Sequence, residues 1–142
     1  MLKKLFAPGN DSLPTSAGLL ALRLGLGLTM CFNHGLDKLN HFSSMSGQFP
    51  DPLGIGHAPS LALVVFAEVA GALLLAFGFV TRFAALTLVI DMTVAFFMVH
   101  KTAMHGEHSG EMAFLYLAGF VALLLAGGGK FSVDKAAFGK GK

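Results

Sequence analysis

The sequence predicts an all-α fold: a four-transmembrane-helix antiparallel bundle, one domain over residues 1–142, with both termini cytoplasmic. Three observations predict it. Of the 142 residues 54% are hydrophobic and 13% charged, and the mean hydropathy of +0.70 is far above that of a water-soluble domain of this size. Four apolar runs come near the roughly 20 residues that a helical bilayer crossing needs. Lysines and arginines gather on alternate connections between those runs. The same composition removes whole classes of function. Cys31 is the sole cysteine, so neither an intramolecular disulfide, a C-x-x-C redox pair nor a thiolate zinc knot can form. A net charge of +2, no tryptophan and no basic run interleaved with aromatics argue against a nucleic-acid partner. The expected partner is the lipid bilayer.

The first fifteen residues are polar and broken by Pro8 and Pro14, so the first helix is expected over about 16–41. Arg23 inside this run and the lack of a small-residue cleavage site set it apart from a cleaved signal. Residues 43–58 are rich in Ser, Gly and Pro and read as a loop. Pro59 suits the first turn of a second helix, 59–79, which Gly78 closes. A tight turn at Thr81 and Arg82 leads into the third, 82–100, so these two pair antiparallel. Polar residues 101–108 follow, Ser109 is the expected N-cap of the fourth helix, 110–126, and Gly127, Gly128 and Gly129 end it. The tail has room for one short interfacial turn capped by Ser132. The stretch AGGGKFS is no phosphate loop, since Phe131 follows Lys130 where Ser or Thr is required.

Orientation follows from the short-loop cations. Lys3, Lys4, Arg82, Lys130, Lys135, Lys140 and Lys142 all fall on one side, which is therefore cytoplasmic, and the chain is expected in a bacterial cytoplasmic membrane. The outer side holds Lys38, Lys101 and all six histidines. With a rise of about 1.5 Å per residue, Arg23 lies about 10 Å, Asp91 about 14 Å and Glu68 about 16 Å from the cytoplasmic ends of their helices, with Tyr116 near the Glu68 level. Charges at such depth must pair or meet water. The economical arrangement sets Arg23 between Glu68 and Asp91, with Tyr116 in hydrogen-bond reach of one acid. One cation against two anions leaves excess negative charge, which suits a proton shared between carboxyls and hence a proton relay or quinol site. The bland alternative is that the cluster only fixes helix register.

A second layer lies farther out, with His34 and His100 at about 27 Å and Glu111 at about 24 Å by the same rise. His34, Lys38 and His41 share a helical face, and Arg23, eleven residues before His34, extends that stripe to the first layer. His34, Lys38 and Glu111 are the candidate cofactor-binding residues. His100, His105 and His108, with Glu107 and Glu111, have the composition of a zinc or copper site, against a default of solvated loop histidines. His34 and His100 at equal depth also match an axial haem pair. Glu111 further suits the first turn of its helix. The seven methionines and Cys31 read as packing, and Gly25, Gly27, Gly71 and Gly78 as points of close helix approach.

Taken in order, Arg23-Leu24-Gly25, Asn33-His34-Gly35-x-x-Lys38-Leu39, Glu68-x-x-Gly71, Gly78-Phe79-x-Thr81-Arg82-x-Ala84-Ala85, Ile90-Asp91-Met92, Glu111 and Gly129-Lys130-Phe131-Ser132-Val133-Asp134 resemble the DoxX family of small bacterial and archaeal membrane proteins. The resemblance spans Ala21 to Asp134; Ala72 stands where many members have a second glycine. It implies a four-helix membrane bundle working with other protein subunits in electron transfer to quinone.

Three functions follow. In the first, the chain is a subunit of a quinone-linked redox complex, not an enzyme on its own. Arg23, Glu68, Asp91 and Tyr116 then bind a quinone headgroup or relay its protons. The second is a non-catalytic accessory subunit that stabilises a larger membrane complex through its phenylalanine-rich surface. The third is outward-facing metal binding by the loop histidines.

Overall fold

The computed structural model describes residues 12–139, and every regular element among them is helical. Lys3, Lys4, Lys140 and Lys142, used above for orientation, lie outside the described residues. Among the described residues three helices are long and apolar enough to cross a membrane: α1 (Leu13–Asn40), α3 (His57–Phe77) and α4 (Thr81–Val99). A fourth apolar helix, α5 (Glu111–Ala126), has 16 residues and falls short of that length. Two short pieces complete the order, α2 (Phe42–Met45) and α6 (Val133–Phe138).

Local chemistry explains the helix ends. α1 starts at Leu13, ahead of Ser16, because Pro14 fits a first turn whose amide needs no partner. Before α3, the Asp51 carboxylate accepts from the Ile55 and Gly56 amides at 3.0 and 2.8 Å and from the Ser60 hydroxyl at 2.8 Å. The Ser60 hydroxyl, helped by the two amides, holds the Asp51 carboxyl below its usual value. At the other end of α3 the chain reverses in a Schellman motif: Phe79 N–H donates to Leu74 O and Gly78 N–H to Leu75 O, both at 3.0 Å. Gly78 takes φ +70° there, which glycine adopts without penalty. Gly110, one residue after the expected Ser109, is the N-cap of α5, with Ser109 Oγ accepting from the Glu111 amide at 3.2 Å; Ser132 Oγ accepts from Lys135 N at 3.2 Å and caps α6.

α1 runs antiparallel to α3, and α4 packs on α3 and along α5. The α1–α3 contact is backbone-close at two glycines. A Cβ on Gly27 would stand 2.8 Å from Ala72 O, and one on Gly35 would stand 2.7 Å from Glu68 O. Gly25, expected to serve likewise, faces open space. Each long helix also contains one six-residue π segment: Met30–Gly35 in α1, Phe66–Gly71 in α3 and Val94–Val99 in α4. Such widened turns shift the faces of the residues that follow them.

Arg23, fully buried, corrects the expected arrangement. Its guanidinium does not reach Glu68 or Asp91. Nη1 donates to Ala76 O at 2.9 Å and Leu75 O at 3.5 Å, and Nη2 donates to Phe131 O at 3.0 Å. The cation therefore sits on the negative end of the α3 dipole and satisfies carbonyls that the last helical turn leaves free. The reason is that helix ends do not lie in one plane: α1 extends well beyond the last turn of α3, so equal residue counts do not give equal depths. Asp134 completes the clasp from the opposite sign. Its carboxylate accepts from Val80 N at 2.6 Å and Thr81 N at 2.8 Å, on the positive end of α4, and its own amide donates to Gly78 O at 2.9 Å.

Arg23→Gln is expected to cost about 2 kcal/mol of stability, as for lost charged hydrogen bonds, read by unfolding in detergent. Because the Asp51 carboxyl titrates lower in the folded chain, its contribution is present above the usual carboxylate pKa and lost as pH falls through the folded value. Asp51→Asn at neutral pH should mimic that loss, with faster hydrogen exchange at the Ile55 and Gly56 amides and little change elsewhere.

Candidate functional site

At the end of the bundle away from the clasp, a cavity of about 620 Å³ opens between α1, α3, α4 and α5 under the loop after α2. Its polar lining includes the ionisable or aromatic His34, Lys38, Glu68, Asp91, Tyr116 and His100 and the hydroxyls of Ser60, Thr87 and Ser109, and the rest is mostly aliphatic and aromatic. That mixture, an apolar chamber with a few converging polar groups, is the usual form of a small-molecule site.

The centre of the site is an ion pair. Lys38 Nζ donates to Glu68 Oε2 at 2.7 Å and to Oε1 at 3.0 Å, and the side chains are 19% and 5% exposed. Gly35 explains how the two helices come close enough, since its Cα lies against the Glu68 backbone. Lys38 stands nearly one turn further along α1, but helical side chains lean toward the helix N-terminus, which returns its ammonium to the Glu68 level. The expected counter-ion of Glu68 was Arg23; the structure supplies Lys38. The sequence places Lys38 in the outer layer among the candidate cofactor-binding residues rather than opposite Glu68, and the signal for the pair is a cation one turn after a glycine with a carboxylate before another.

Asp91 reaches the same cavity from α4. Its Oδ2 is buried and has no hydrogen-bond partner, an orphaned acceptor in an apolar wall. Tyr116 is buried on α5 and hydrogen-bonds neither acid. Instead its ring meets His34 edge-on at 5.6 Å and stacks on Phe120 at 5.7 Å, so it positions the imidazole. Of the expected stripe on α1, His34 and Lys38 line the cavity, whereas His41 is exposed and sits 3.2 Å from Asp37. The π segment at Met30–Gly35 breaks the register that would have joined Arg23 to it. All three π segments contribute to the lining, through Met30 and His34, Phe66 and Glu68, and Val94 and Val99. No apolar-periodicity argument anticipates them.

A family model, DoxX, matches residues 18–101, more than half of the chain. The chain belongs to the DoxX family. That match covers α1 from residue 18 and all of α3 and α4, and so carries Lys38, Glu68 and Asp91. Two proteins of Haemophilus influenzae, both described only as uncharacterized, are similar to it. One is 29% identical over 126 residues, spanning 84% of this chain and 83% of the relative, and the other is 31% identical over 113 residues, spanning 75% and 81%. No solved structure matches. With its apolar helices, this DoxX protein is a multi-pass membrane protein.

The candidate metal ligands of residues 100–108 are not brought together. Among the described residues no three of His, Cys, Asp and Glu are grouped to hold a metal ion. His100 lines the cavity with its Nδ1 against His108 O at 3.0 Å, while His105 and His108 are exposed. Glu111 is exposed at the start of α5, in the first turn where the helix dipole favours it.

Removing one member of the pair should be costly: Lys38→Met strands the Glu68 charge and is expected to lose roughly 3 kcal/mol. The double change Lys38→Met with Glu68→Leu should recover most of that loss in the same unfolding measurement, because no lone charge remains.

Proposed function

We propose that this DoxX protein is the quinone-binding membrane subunit of a redox complex, with the cavity taking the quinone headgroup and its carboxyls passing protons. The observation that carries the reading is Asp91 Oδ2: a buried, unpartnered acceptor beside the Lys38–Glu68 pair in an apolar chamber. A quinone ring is flat and apolar with an oxygen at each end, so it suits such walls. The Lys38 ammonium keeps a donor beyond those given to Glu68, for a carbonyl oxygen, and the Asp91 carboxyl faces a hydroxyl of the reduced form. Reduction of a quinone takes up two electrons and two protons; the electrons come from a redox centre on a partner protein, and Asp91 and Glu68 pass the protons. His34, held by Tyr116, lies on the route from the outer mouth. Arg23 belongs to the clasp and takes no part. In this reading α5 completes a four-helix crossing, and the end bearing Arg82, Lys130 and Lys135 faces the cytoplasm of the bacterial inner membrane.

Asp91→Asn tests the reading most cleanly, since Oδ2 holds nothing in the fold. Quinone-dependent turnover of the purified native complex should fall roughly a hundredfold, as when a positioned acid–base group is removed, with assembly and melting temperature nearly unchanged. Glu68→Gln should also abolish turnover, whereas Arg23→Gln should leave turnover per folded molecule intact. Normal activity in the Asp91→Asn complex removes the proposal and leaves an accessory subunit.

A further inference from the structure

The way into the cavity identifies the kind of molecule it takes. The residues along the α3–α4 side of the chamber are not core residues. Leu63 is 57%, Phe66 58% and Ile90 57% exposed, although all three line the cavity. Leu63 and Phe66 flank the buried face of α3 formed by Ser60, Leu61, Val65 and Glu68, and Ile90 precedes Asp91 on the corresponding flank of α4. On the clasp side α3 and α4 are in close contact, down to Gly71, where a Cβ would stand 2.8 Å from Thr87 Oγ1. Beyond Gly71 the first nine residues of α3, His57–Val65, and the last turns of α4, Val94–Val99, are not among the closely packed pairs. The two helices therefore diverge, and the gap between them is edged by aliphatic and aromatic side chains that face the acyl chains of the bilayer. At the inner end of that gap stand Thr87, Asp91 and Glu68. Above it the loop adds Leu53 and Ile55, both exposed and both apolar, which gives a lipid-facing eave in place of a polar rim.

From this geometry we infer that the cavity is entered sideways from the membrane, between α3 and α4, by a lipid-dissolved molecule that carries a hydrogen-bonding ring on a long apolar chain. The ring reaches Asp91 and the Lys38–Glu68 pair, and the chain stays in the gap between Leu63 and Phe66 on one side and Ile90 on the other. The inference rests on the quinone reading and adds to it a route and a requirement for the tail. A headgroup alone would leave the gap uncovered and forgo the apolar contact that the exposed edge residues offer. A phospholipid has a suitable tail but a charged phosphate, which would meet the Glu68 and Asp91 carboxylates.

The chain has no tryptophan, so a single introduced one is an unambiguous reporter. Ile90→Trp places it at the gap, Leu63→Trp is a second reporter on the facing helix, and Phe77→Trp is a membrane-exposed control at the clasp end. Each full-length protein is placed in phosphatidylcholine nanodiscs and titrated with a quinone bearing a long isoprenoid chain. A second titration uses the same ring with a methyl group in place of that chain. The expected result is saturable quenching of Ile90→Trp and Leu63→Trp by the long-chain quinone, at roughly tenfold lower concentration than for the methyl compound. The Phe77→Trp control should show only unsaturated, collisional quenching. Adding Asp91→Asn to Ile90→Trp should weaken the saturable binding roughly tenfold.

Equal potency of the two compounds overturns the sideways route while leaving the cavity as a quinone site. Identical, unsaturated quenching of all three proteins overturns both. Loss of saturable quenching when phosphatidylglycerol replaces phosphatidylcholine assigns the gap to a phospholipid and overturns the inference. If Ile90→Trp does not fold, the Leu63→Trp titration decides by the same criteria.

Discussion

The Lys38 ammonium and the Glu68 carboxylate, 2.7 Å apart inside a lipid-embedded bundle, set the conditions that the rest of the site obeys. Neither charge tolerates that environment alone, so α1 and α3 must approach until the two meet. Gly35 permits the approach by presenting no side chain to the Glu68 backbone. The π segments of both helices lie at this level, where Met30–Gly35 packs on Phe66–Gly71. An inserted residue in each changes which side chains face inward, and the wall that results is open on the α4 flank. Asp91 then borders a space already organised around an ion pair, as a third ionisable group without a structural duty of its own.

At the other end of the bundle a second set of charges works differently. Arg23 and Asp134 are matched mainly to backbone, the cation to carbonyls at the close of α3 and the anion to amides at the opening of α4. Helix ends carry partial charges of the right sign there, so each side chain is stabilised without a direct salt bridge. The two ends thus divide the labour. One confines its charges to holding three segments together, and the other exposes them to a chamber.

The helical class, the shortness of the α3–α4 turn and the caps at Ser132 and Gly78 were legible in the sequence because each depends on neighbours within a few positions, although the turn lies at residues 78–80 and Thr81 and Arg82 already belong to α4. The identity of the polar cluster was legible in part. Glu68 and Asp91 do share a site, and Tyr116, His34 and Lys38 border it, since residues at membrane depth have few places to go. What was misjudged is which cation answers which acid. Counting residues from assumed helix ends put Arg23 with the carboxylates, but α1 overhangs its neighbour, and a π turn between Arg23 and Lys38 rotates one away from the other. Neither the overhang nor the extra residue leaves a mark on apolar periodicity. The loop histidines misled for another reason: composition favours a metal, but ligation needs convergence, and His105 and His108 point out to solvent.

The clasp also ties folding to the order of synthesis. Arg23 is made early, yet one of its carbonyl partners is Phe131, and the α4 amides wait for Asp134, more than a hundred residues downstream of Arg23. Until residues 131–134 have been made, the guanidinium lacks one of its three carbonyl partners and the start of α4 has no acidic cap. Loss of Phe131 to Asp134 would thus uncover a buried cation and the leading amides of α4 together, which makes the interior of the bundle hostage to a short segment outside its long helices.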